Sequence, residues 1–365
     1  MEPVRVIDLG LVPSLRSQTV YHAVARTLGP DSPDTIILVG PDDPYVCIGF
    51  HQDIDTEVDR DYCREHGLPV YKREVGGGAV YLDRGQVFAQ WVFHPEHLPS
   101  DLPGQFDLYA RPIVDTYRSL GIEAYLRPIN DIHVSGKKIG GTGAAQVGPA
   151  RVLVGSLMLD FDKETMSKVL KVPSEKMRDK VFQGLNEYMT TMTEQLGAAP
   201  DRDDTVARYL TACADVLGVA LVPGELTEEE LAKAAELDER FASEDFLGIK
   251  GPVSPVGVKI HEDVRVVEGA AKAPGGLVRV TARLHGSRVD DVTFTGDFTM
   301  LPADGVTAIE AALRGSSAEE ADVVERVASV YREHGLESPG LEAADFARVL
   351  AQAAGTAAEQ SAAPA

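Results

Sequence analysis

Residues 72–85 read KREVGGGAVYLDRG, and the rest of the chain is interpreted outward from this stretch. Three consecutive glycines, at 76–78, follow a short run of strand-forming residues. Because glycine has no side chain, its backbone N–H groups can approach an anion closely and its φ can be positive. Lys72 and Arg73 add positive charge next to the glycines. The stretch predicts a loop that holds a phosphate or an acyl-phosphate anhydride, although a tight hairpin also explains an isolated glycine triplet.

A second stretch, NDIHVSGKKIGGTG at 130–143, reads as a hairpin that turns at Ser135-Gly136 and returns with two adjacent lysines. The lysine ammonium is a compact point charge that binds phosphate well. Asn130 and Asp131 are candidates for holding Mg²⁺ or a ribose hydroxyl, since Mg²⁺ takes one or two carboxylates together with substrate phosphates. The alternative is a solvated hairpin with surface lysines.

The bulk composition sets limits on the kind of protein. With 365 residues and 44% hydrophobic content, the chain is long enough for about two domains. Its net charge of -22 argues against binding to nucleic acid or to an anionic membrane. We find neither a signal peptide nor an apolar run that could span a membrane. The three scattered cysteines, Cys47, Cys63 and Cys213, form no disulfide framework, which predicts a cytoplasmic protein.

Hydrophobic periodicity predicts the domain organisation. Residues 1–224 contain the glycine and lysine stretches and are predicted to form the catalytic domain. Residues 225–250 are strongly acidic and predict a solvated linker helix. Three strands followed by three helices predict a small α+β domain at 251–355, and the Ala-rich tail at 356–365 is predicted to be disordered.

Several segments, in order, resemble the lipoate–protein ligases of the biotin/lipoate ligase superfamily. Residues 73–85 resemble the signature RRxSGGGAVxHDxGN, and 130–139 resemble the ND…GRKISG segment. Residues 154–159, VGSLML, look like the HHGTLLL strand, and 48–52, IGFHQ, look like an IGxxQ strand end. Residues 251–350 look like the small C-terminal accessory domain of these ligases.

The resemblance implies an α+β fold, with a class II synthetase-like catalytic domain built on a mixed sheet with helices and a small α+β C-terminal domain. It implies ATP-dependent activation of lipoate to lipoyl-AMP, with Mg²⁺, and transfer to a lysine of a carrier protein. The expected carriers are the lipoyl domains of 2-oxoacid dehydrogenases or the glycine-cleavage carrier protein.

The resemblance also assigns site residues. Lys138 is the expected catalytic residue, contacting the acyl carbonyl and the α-phosphate, and Asp131 is the candidate Mg²⁺ ligand. The residues expected to bind ATP and the acyl-adenylate are Arg73, Gly76, Gly77, Gly78, Ala79, Val80, Tyr81, Asn130, Asp131, Lys138, Gly155 and Ser156. For the acyl chain itself, an apolar slot needs side chains such as Val80, Tyr81, Trp91 and Phe93, although core packing explains strand aromatics equally well.

The sequence departs from the family pattern at a few positions. Leu82 stands where the family has histidine, Leu153-Val154 replace its His-His pair, and Gln86 replaces an asparagine. The phosphate and lysine elements are retained, so the departures bear on acyl-chain specificity and on the choice of carrier.

Three alternatives to a lipoate ligase stay open. An octanoyl or lipoyl transferase on the same fold uses a cysteine nucleophile soon after the lysine segment, and the gap between Cys63 and Cys213 argues against it. A biotin ligase and a catalytically silent carrier-binding homologue are the others.

For carrier docking we consider a basic segment, which comprises Lys163, Lys168, Lys171, Lys176, Arg178 and Lys180. The alternative is that these side chains only balance neighbouring acidic groups.

Overall fold

The structure is a computed structural model that describes residues 2–248 and 264–362, without the side chains of residues 175 and 356–362. The chain divides into two compact units. Unit 1 comprises Met1–Ile48, Glu57–Arg73 and Ala79–Leu247, and unit 2 comprises Gly49–Thr56, Glu74–Gly78 and Gly248–Ala365. Two short segments of the predicted catalytic domain therefore belong to the same unit as the C-terminal part of the chain.

Unit 1 contains eleven strands among its described residues. In chain order they are β1 (Val4–Val12), β2 (Thr35–Pro41), β3 (Tyr45–Ile48), β4 (Val70–Lys72), β5 (Val80–Leu82), β6 (Gln86–Phe93), β7 (Tyr125–Arg127), β8 (Asp131–Val134), β9 (Lys137–Val147), β10 (Ala150–Met158) and β11 (Leu221–Pro223). Eight of them form one mixed sheet in the order β11-β1-β2-β6-β10-β9-β8-β7. The pairs of β1 with β11 and β2 are parallel and the remaining neighbours are antiparallel. A second sheet has the order β4-β3-β5.

Ten helices lie among the described residues up to Leu247. They are α1 (Arg16–Arg26), α2 (Ile54–Glu57), α3 (Arg60–Glu65), α4 (Leu102–Ser119), α5 (Lys163–Val169), α6 (Glu175–Tyr188), α7 (Met192–Leu196), α8 (Arg202–Leu217), α9 (Glu228–Phe241) and α10 (Glu244–Leu247), with a 3-10 turn at Pro95–His97. Among the described residues, no helix has both the length and the apolar character needed to cross a membrane.

The centre of the large sheet explains why some strands read as continuous apolar runs. Every residue of β2 and of β6 is buried, as expected for strands covered on both faces. Trp91 on β6 stacks on Phe93, and its indole N–H donates to the Tyr209 hydroxyl at 2.9 Å. Both rings are fully buried. Trp91 and Phe93, considered from the sequence for an acyl slot, are therefore core residues.

The helix predicted as a solvated linker is partly buried instead. α9 packs its apolar stripe of Ala234, Leu237 and Phe241 onto α1 within unit 1. On its polar side, Glu230 accepts a hydrogen bond from the Arg5 guanidinium at 3.2 Å. The apolar residues recur at helical spacing, but the density of acidic residues around them obscured the stripe in the sequence. Residues 249 and 250 of the predicted linker lie outside the described part of the chain.

Unit 2 holds a three-stranded antiparallel sheet of β12 (Val264–Ala273), β13 (Gly276–His285) and β14 (Arg288–Gly296). The helices α11 (Gly305–Leu313), α12 (Glu320–His334) and α13 (Ala343–Ala362) follow. One face of the sheet contributes residues such as Val280 and Phe294 to a core shared with the helices. The backbone of α13 continues as helix to Ala362; the last three residues of the tail predicted at 356–365 lie outside the described residues.

Candidate active site

The lysine stretch forms the β8–β9 hairpin of unit 1. Ser135 and Gly136 both have positive φ, as a two-residue hairpin turn requires. Ile132 pairs with Gly140 and His133 pairs with Lys138, so one extra residue of β9 bulges between them. Bulges of this kind redirect neighbouring side chains. The Lys138 Nζ lies 2.7 Å from Oδ1 of Asp131, and each side chain keeps about a quarter of its surface exposed (28% and 25%).

The other oxygen of Asp131 also has neighbours. Tyr188, at the end of α6, donates its hydroxyl to Oδ2 at 3.2 Å. Partial burial and the nearby Asp131 carboxylate raise the pKa of Tyr188, so the hydroxyl stays protonated and able to donate. The buried His133 places Nε2 3.8 Å from the same oxygen. Lys138, Asp131, Tyr188 and His133 thus form one polar cluster on the hairpin.

The predicted Mg²⁺ ligand does not fit a metal site in this arrangement. Asp131 is engaged by the Lys138 ammonium, whose positive charge would repel a bound metal ion, and by the Tyr188 hydroxyl. In the described part of the chain, no group of three or more His, Cys, Asp or Glu side chains could hold a metal. We therefore derive no chemical step through Mg²⁺.

Asn130 and the nearby glycines shape the hairpin. The Asn130 side-chain amide donates to the Thr142 carbonyl at 2.5 Å, and the Thr142 N–H donates back to the Asn130 carbonyl at 2.8 Å. A Cβ on Gly141 would lie 3.2 Å from Nζ of Lys138, so glycine leaves room for the ammonium. On β10, a Cβ at Gly155 would lie 3.0 Å from the Gly141 carbonyl. Ser156 follows on the same strand, opposite Phe88 of β6.

The two adjacent lysines have different surroundings. Lys137 donates from Nζ to the Asn186 carbonyl of α6 at 2.9 Å. Lys138 has its side chain on Asp131, while its backbone carbonyl accepts from the Thr190 N–H at 2.9 Å. Both lysines therefore tie β9 to the α6 region, but only the Lys138 ammonium belongs to the polar cluster.

Lys72 and Arg73, which precede the segment Glu74–Gly78, and Ala79, which follows it, lie in unit 1. Arg73 donates from Nη1 to the Cys47 carbonyl at 3.3 Å, and Lys72 is fully buried on β4. Ala79 leads into β5, where Val80 pairs with Cys47. Because Lys72 is buried, it does not add to the glycine loop the positive charge that the sequence had predicted.

Tyr81 on β5 lines a cavity of about 340 Å³ in unit 1. Burial, followed by the charges of Asp83 and Asp162, raises the pKa of Tyr81 to about 12. The cavity wall carries Asp42, Asp83, Asp160 and Asp162, against a single basic side chain, Arg84. A wall of four carboxylates repels the anion of a carboxylic acid, so this cavity does not fit the apolar slot expected beside Tyr81.

The glycine triplet itself belongs to unit 2. A Cβ on Gly76 would lie 2.5 Å from the Phe298 carbonyl oxygen, and Gly77 has a φ of +96°. The nearest atom to a Cβ on Gly78 is 3.8 Å away, so that position is open. Gly49 is also confined, because its Cβ would lie 1.9 Å from the Gly77 carbonyl oxygen. Packing within unit 2 accounts for Gly49, Gly76 and Gly77, and leaves Gly78 without a steric reason to be glycine.

The positions where the family carries histidines are apolar; Leu82 and Leu153 are buried and Val154 is half-buried. Leu82 pairs with Tyr45 on β3, and Leu153 of β10 lies between Trp91 and Ala144 on the neighbouring strands. Leu153 is fully buried and Leu82 is 8% exposed.

The three cysteines are all buried. Cys47 and Cys213 have no exposed surface, and Cys63 has 2%. Burial raises the pKa of all three thiols, to about 11 for Cys63 and about 12 for Cys213. Since the thiolate is the reactive form, none of them is suited to act as a nucleophile near neutral pH.

Sequence reasoning identified part of the cluster. Asp131 on β8, Lys138 on β9 and Gly155 on β10 lie on neighbouring strands of unit 1, with Asn130 immediately before β8. It missed His133 and Tyr188. The signal for His133 was available, because it lies two residues after Asp131 on a strand and so shares its face. Tyr188 is remote in sequence, and no motif pointed to it.

Comparison with known proteins agrees with this architecture. Residues 16–214, more than half of the chain, match the family model described as the lipoyl protein ligase A/B catalytic domain. A Thermoplasma acidophilum lipoate-protein ligase A subunit 1 is 28% identical over 56% of this chain and 80% of its own length. An octanoyltransferase LipM from Kyrpidia tusciae is 27% identical over 67% of this chain and 98% of its own.

A solved structure gives the same result for the fold. It is that of a bi-partite lipoate protein ligase studied with its E2 lipoyl domain from Thermoplasma acidophilum. Its chain is 26% identical, covers 70% of this chain and 100% of its own, and superposes with a TM-score of 0.62. The α+β fold expected from the sequence is confirmed, and the chain belongs to the lipoyl protein ligase A/B catalytic-domain family.

Proposed function

We propose that this chain activates lipoate, or a related medium-chain acid, with ATP to an acyl-adenylate, and then transfers the acyl group to a lysine of a carrier protein. Two kinds of relative, ligases and octanoyltransferases, are compatible with the family. The observation that favours the ligase is the burial of every thiol in the chain, because the transferase alternative relies on a cysteine nucleophile. Free, buried thiols also agree with the predicted cytoplasmic setting.

The first step forms the mixed anhydride. A carboxylate oxygen of the acid attacks the α-phosphorus of ATP, the bond to the β-phosphate oxygen breaks, and pyrophosphate leaves with the electron pair. Negative charge accumulates on the α-phosphate oxygens during this step. The Lys138 ammonium, already fixed on the hairpin by Asp131, is the group that we assign to neutralise that charge. Fixed charges aimed at developing charge contribute much of the rate enhancement in such reactions.

The second step forms the amide. The neutral carrier lysine attacks the acyl carbonyl, the bond from carbonyl carbon to anhydride oxygen breaks, and AMP leaves while the amine gives up a proton to solvent. We assign to Lys138 the roles of polarising the carbonyl and stabilising the departing phosphate. The proposed carriers are lipoyl domains of 2-oxoacid dehydrogenases or the glycine-cleavage carrier protein, a choice supported by the relative that was studied with an E2 lipoyl domain.

The Asp131 carboxylate has a double consequence for Lys138. It orients the ammonium, and it competes with the phosphate for the same cation. Because both side chains are about a quarter exposed, the pair is solvated and its attraction is modest, so a phosphate can displace the carboxylate. The open space at Gly141 gives the lysine room to move.

The test separates the ligase from its alternatives. The protein is incubated with lipoate, octanoate or biotin and MgATP, and pyrophosphate release and the intact mass of candidate carriers are measured. We expect pyrophosphate release with lipoate or octanoate and a matching mass increase on a lipoyl carrier. ATP-independent transfer from an octanoyl-carrier thioester would instead identify a transferase. A response to biotin alone would indicate a biotin ligase, and no reaction with any acid would indicate a silent homologue.

A further inference from the structure

Tyr188, the last residue of α6, meets the polar cluster from outside the lysine hairpin. Its hydroxyl donates to Oδ2 of Asp131 at 3.2 Å, while the Lys138 ammonium lies 2.7 Å from Oδ1. The two oxygens of one carboxylate therefore hold two different partners. In the described part of the chain, Tyr188 is the one hydrogen-bond donor to Oδ2, because the His133 Nε2 at 3.8 Å is beyond hydrogen-bond distance.

The backbone next to Tyr188 is fixed to the strand that carries Lys138. Met189 forms a parallel bridge with Lys138, and Thr190 donates its N–H to the Lys138 carbonyl at 2.9 Å. Thr190 is buried, and the Tyr188 ring packs edge-on against the buried ring of His133, with 5.7 Å between the ring centroids. The phenol and the ammonium are thus held relative to each other, although the two residues are remote in sequence.

Helix α6 itself is attached by polar contacts. The Arg178 Nη1 donates to the Lys168 carbonyl at 2.7 Å near its start, and the Lys137 Nζ donates to the Asn186 carbonyl at 2.9 Å near its end. Arg178, considered from the sequence for carrier docking, therefore holds the helix in place. The exposed charged side chains of the helix are of both signs: Lys176, Asp179, Lys180 and Glu187. Such a mixture does not favour an acidic partner, so the contact that links α6 to the candidate site is that of Tyr188.

A hydrogen bond to Oδ2 changes how strongly Oδ1 holds the ammonium. A donor on one oxygen stabilises the negative charge of the carboxylate, so the other oxygen attracts Lys138 less. The same bond fixes the plane of the carboxylate and hence the starting position of the ammonium. When Lys138 turns toward a phosphate, Asp131 loses its cation, and the bond from Tyr188 offsets part of that loss.

We propose that Tyr188 is a positioning residue of the activation step, which acts through Asp131 to release the Lys138 ammonium to the α-phosphate of ATP. The inference rests on the proposed function and adds to it a residue outside both sequence motifs. No covalent bond of Tyr188 forms or breaks: the phenol keeps its proton, and the ammonium exchanges one oxygen partner for another. Because this exchange precedes formation of the anhydride, Tyr188 affects the first chemical step and not the second.

The experiment removes the hydroxyl with Tyr188→Phe in the full-length protein. Pyrophosphate release with lipoate and MgATP measures activation, and transfer from synthetic lipoyl-AMP to a lipoyl domain measures the second step. We expect Tyr188→Phe to lower kcat of activation about fivefold with the KM for lipoate unchanged, the effect of losing one hydrogen bond to a charged group. Transfer from lipoyl-AMP should change by less than about twofold, because Lys138 already lies on the phosphate in that reaction.

The Asp131→Ala background distinguishes positioning from a structural role. Without the carboxylate, the hydroxyl has nothing to act through, so adding Tyr188→Phe to Asp131→Ala should not slow activation further. A contribution of the phenol to folding alone would slow activation by the same factor in both backgrounds. The matched control is Tyr125→Phe, which removes an exposed hydroxyl from β7, the strand paired with β8, and should behave as the parent protein. Melting temperatures are recorded for every variant.

The outcomes separate this inference from the proposed function. An unchanged activation rate in Tyr188→Phe, an equal loss with and without Asp131, or an equal loss in activation and transfer would overturn the role of Tyr188 and leave the proposed function standing. Absence of pyrophosphate release by the parent protein would overturn the proposed function and this inference with it.

Discussion

The lysine hairpin of unit 1 and the glycine loop of unit 2 both contain glycines that the sequence analysis assigned to ligand binding, but those glycines meet different neighbours. At Gly141 an added Cβ would approach the flexible end of Lys138, at 3.2 Å. At Gly76 it would meet backbone, 2.5 Å from the Phe298 carbonyl oxygen. The first glycine leaves space for a mobile cation, and the second allows two backbone segments to touch.

A glycine-rich motif can therefore have either of two roles: it can leave space at a binding site, or it can allow close backbone packing. In the hairpin, the polar cluster of Lys138 and Asp131 is partly exposed and contributes little to folding. In the loop, Gly76 and Gly77 are constrained by their own unit whether or not a ligand binds. We therefore expect substitutions in the hairpin to change chemistry first, and substitutions in the loop to change stability first.

The largest expected effect comes from truncation of the C-terminal part of the chain. This removes Phe298 and Thr299, which lie beside Gly76 of the glycine loop, and keeps the lysine hairpin. A chain that ends at residue 248 retains all of unit 1, and we expect it to fold and keep the Lys138 cluster while losing most acyl-adenylate formation. A chain that ends at residue 224 also loses α9, and so exposes the surface that Leu237 and Phe241 cover, worth about 1.5–3 kcal/mol per side chain. Thermal unfolding and pyrophosphate release compare the two. Equal melting temperatures would show that α9 is dispensable to unit 1.

Within the hairpin, the sharpest comparison is Lys138→Ala with Lys137→Ala. Removal of the Lys138 ammonium should slow acyl-adenylate formation by about 10²–10³-fold, because it withdraws a fixed charge from the developing phosphate charge. Lys137 bonds only a backbone carbonyl of α6, so its loss should change the rate by a few-fold at most. Pyrophosphate release gives both rates. Similar activity in the two variants would contradict the assignment of Lys138.

Within the loop, Gly76→Ala should lower the free energy of unfolding by about 1–3 kcal/mol, because its Cβ has only backbone to displace. Gly78→Ala is the matched control, and its stability should stay within about 0.5 kcal/mol of the parent. Thermal or urea unfolding measures both. If Gly78→Ala remains stable and loses acyl-adenylate formation, Gly78 is kept for ligand approach; full activity would make the triplet a packing element.

The smallest expected effect is that of Asp131→Asn. Loss of the carboxylate charge leaves Lys138 without its counter-ion, and we expect about a tenfold slower activation step from the poorer orientation of the ammonium. Stability should change by no more than about 1 kcal/mol, since the pair is partly exposed. Pyrophosphate release and melting temperature are measured together. A faster activation step would show that Asp131 mainly restrains the lysine.

Much of the architecture was accessible from local patterns. Apolar runs indicate the buried strands β2 and β6, and the three strands predicted in the C-terminal part of the chain correspond to β12, β13 and β14. The hairpin around Ser135-Gly136 followed from turn chemistry. These features depend on residues that are neighbours in sequence, which is why one sequence sufficed.

Features that depend on distant residues were not predictable in the same way. The contact of Gly76 with Phe298 and Thr299 joins positions more than two hundred residues apart, so nothing near the triplet signals it. The same is true of Tyr188 reaching Asp131. Lys72 looked like part of a charged loop, and its burial on β4 follows from pairing with β3 rather than from its own sequence context. The sequence therefore indicated residues of the candidate site more readily than the distant residues that contact them.

Because all three native thiols are buried, the protein can be labelled with a single fluorescent dye at an introduced cysteine. A maleimide dye reacts through the thiolate, which the native cysteines do not offer near neutral pH. One cysteine introduced at an exposed position, such as Met177→Cys on α6, would take the dye alone without removal of any natural residue elsewhere. Fluorescence anisotropy of that label would then report the arrival and departure of a partner in real time, independently of turnover.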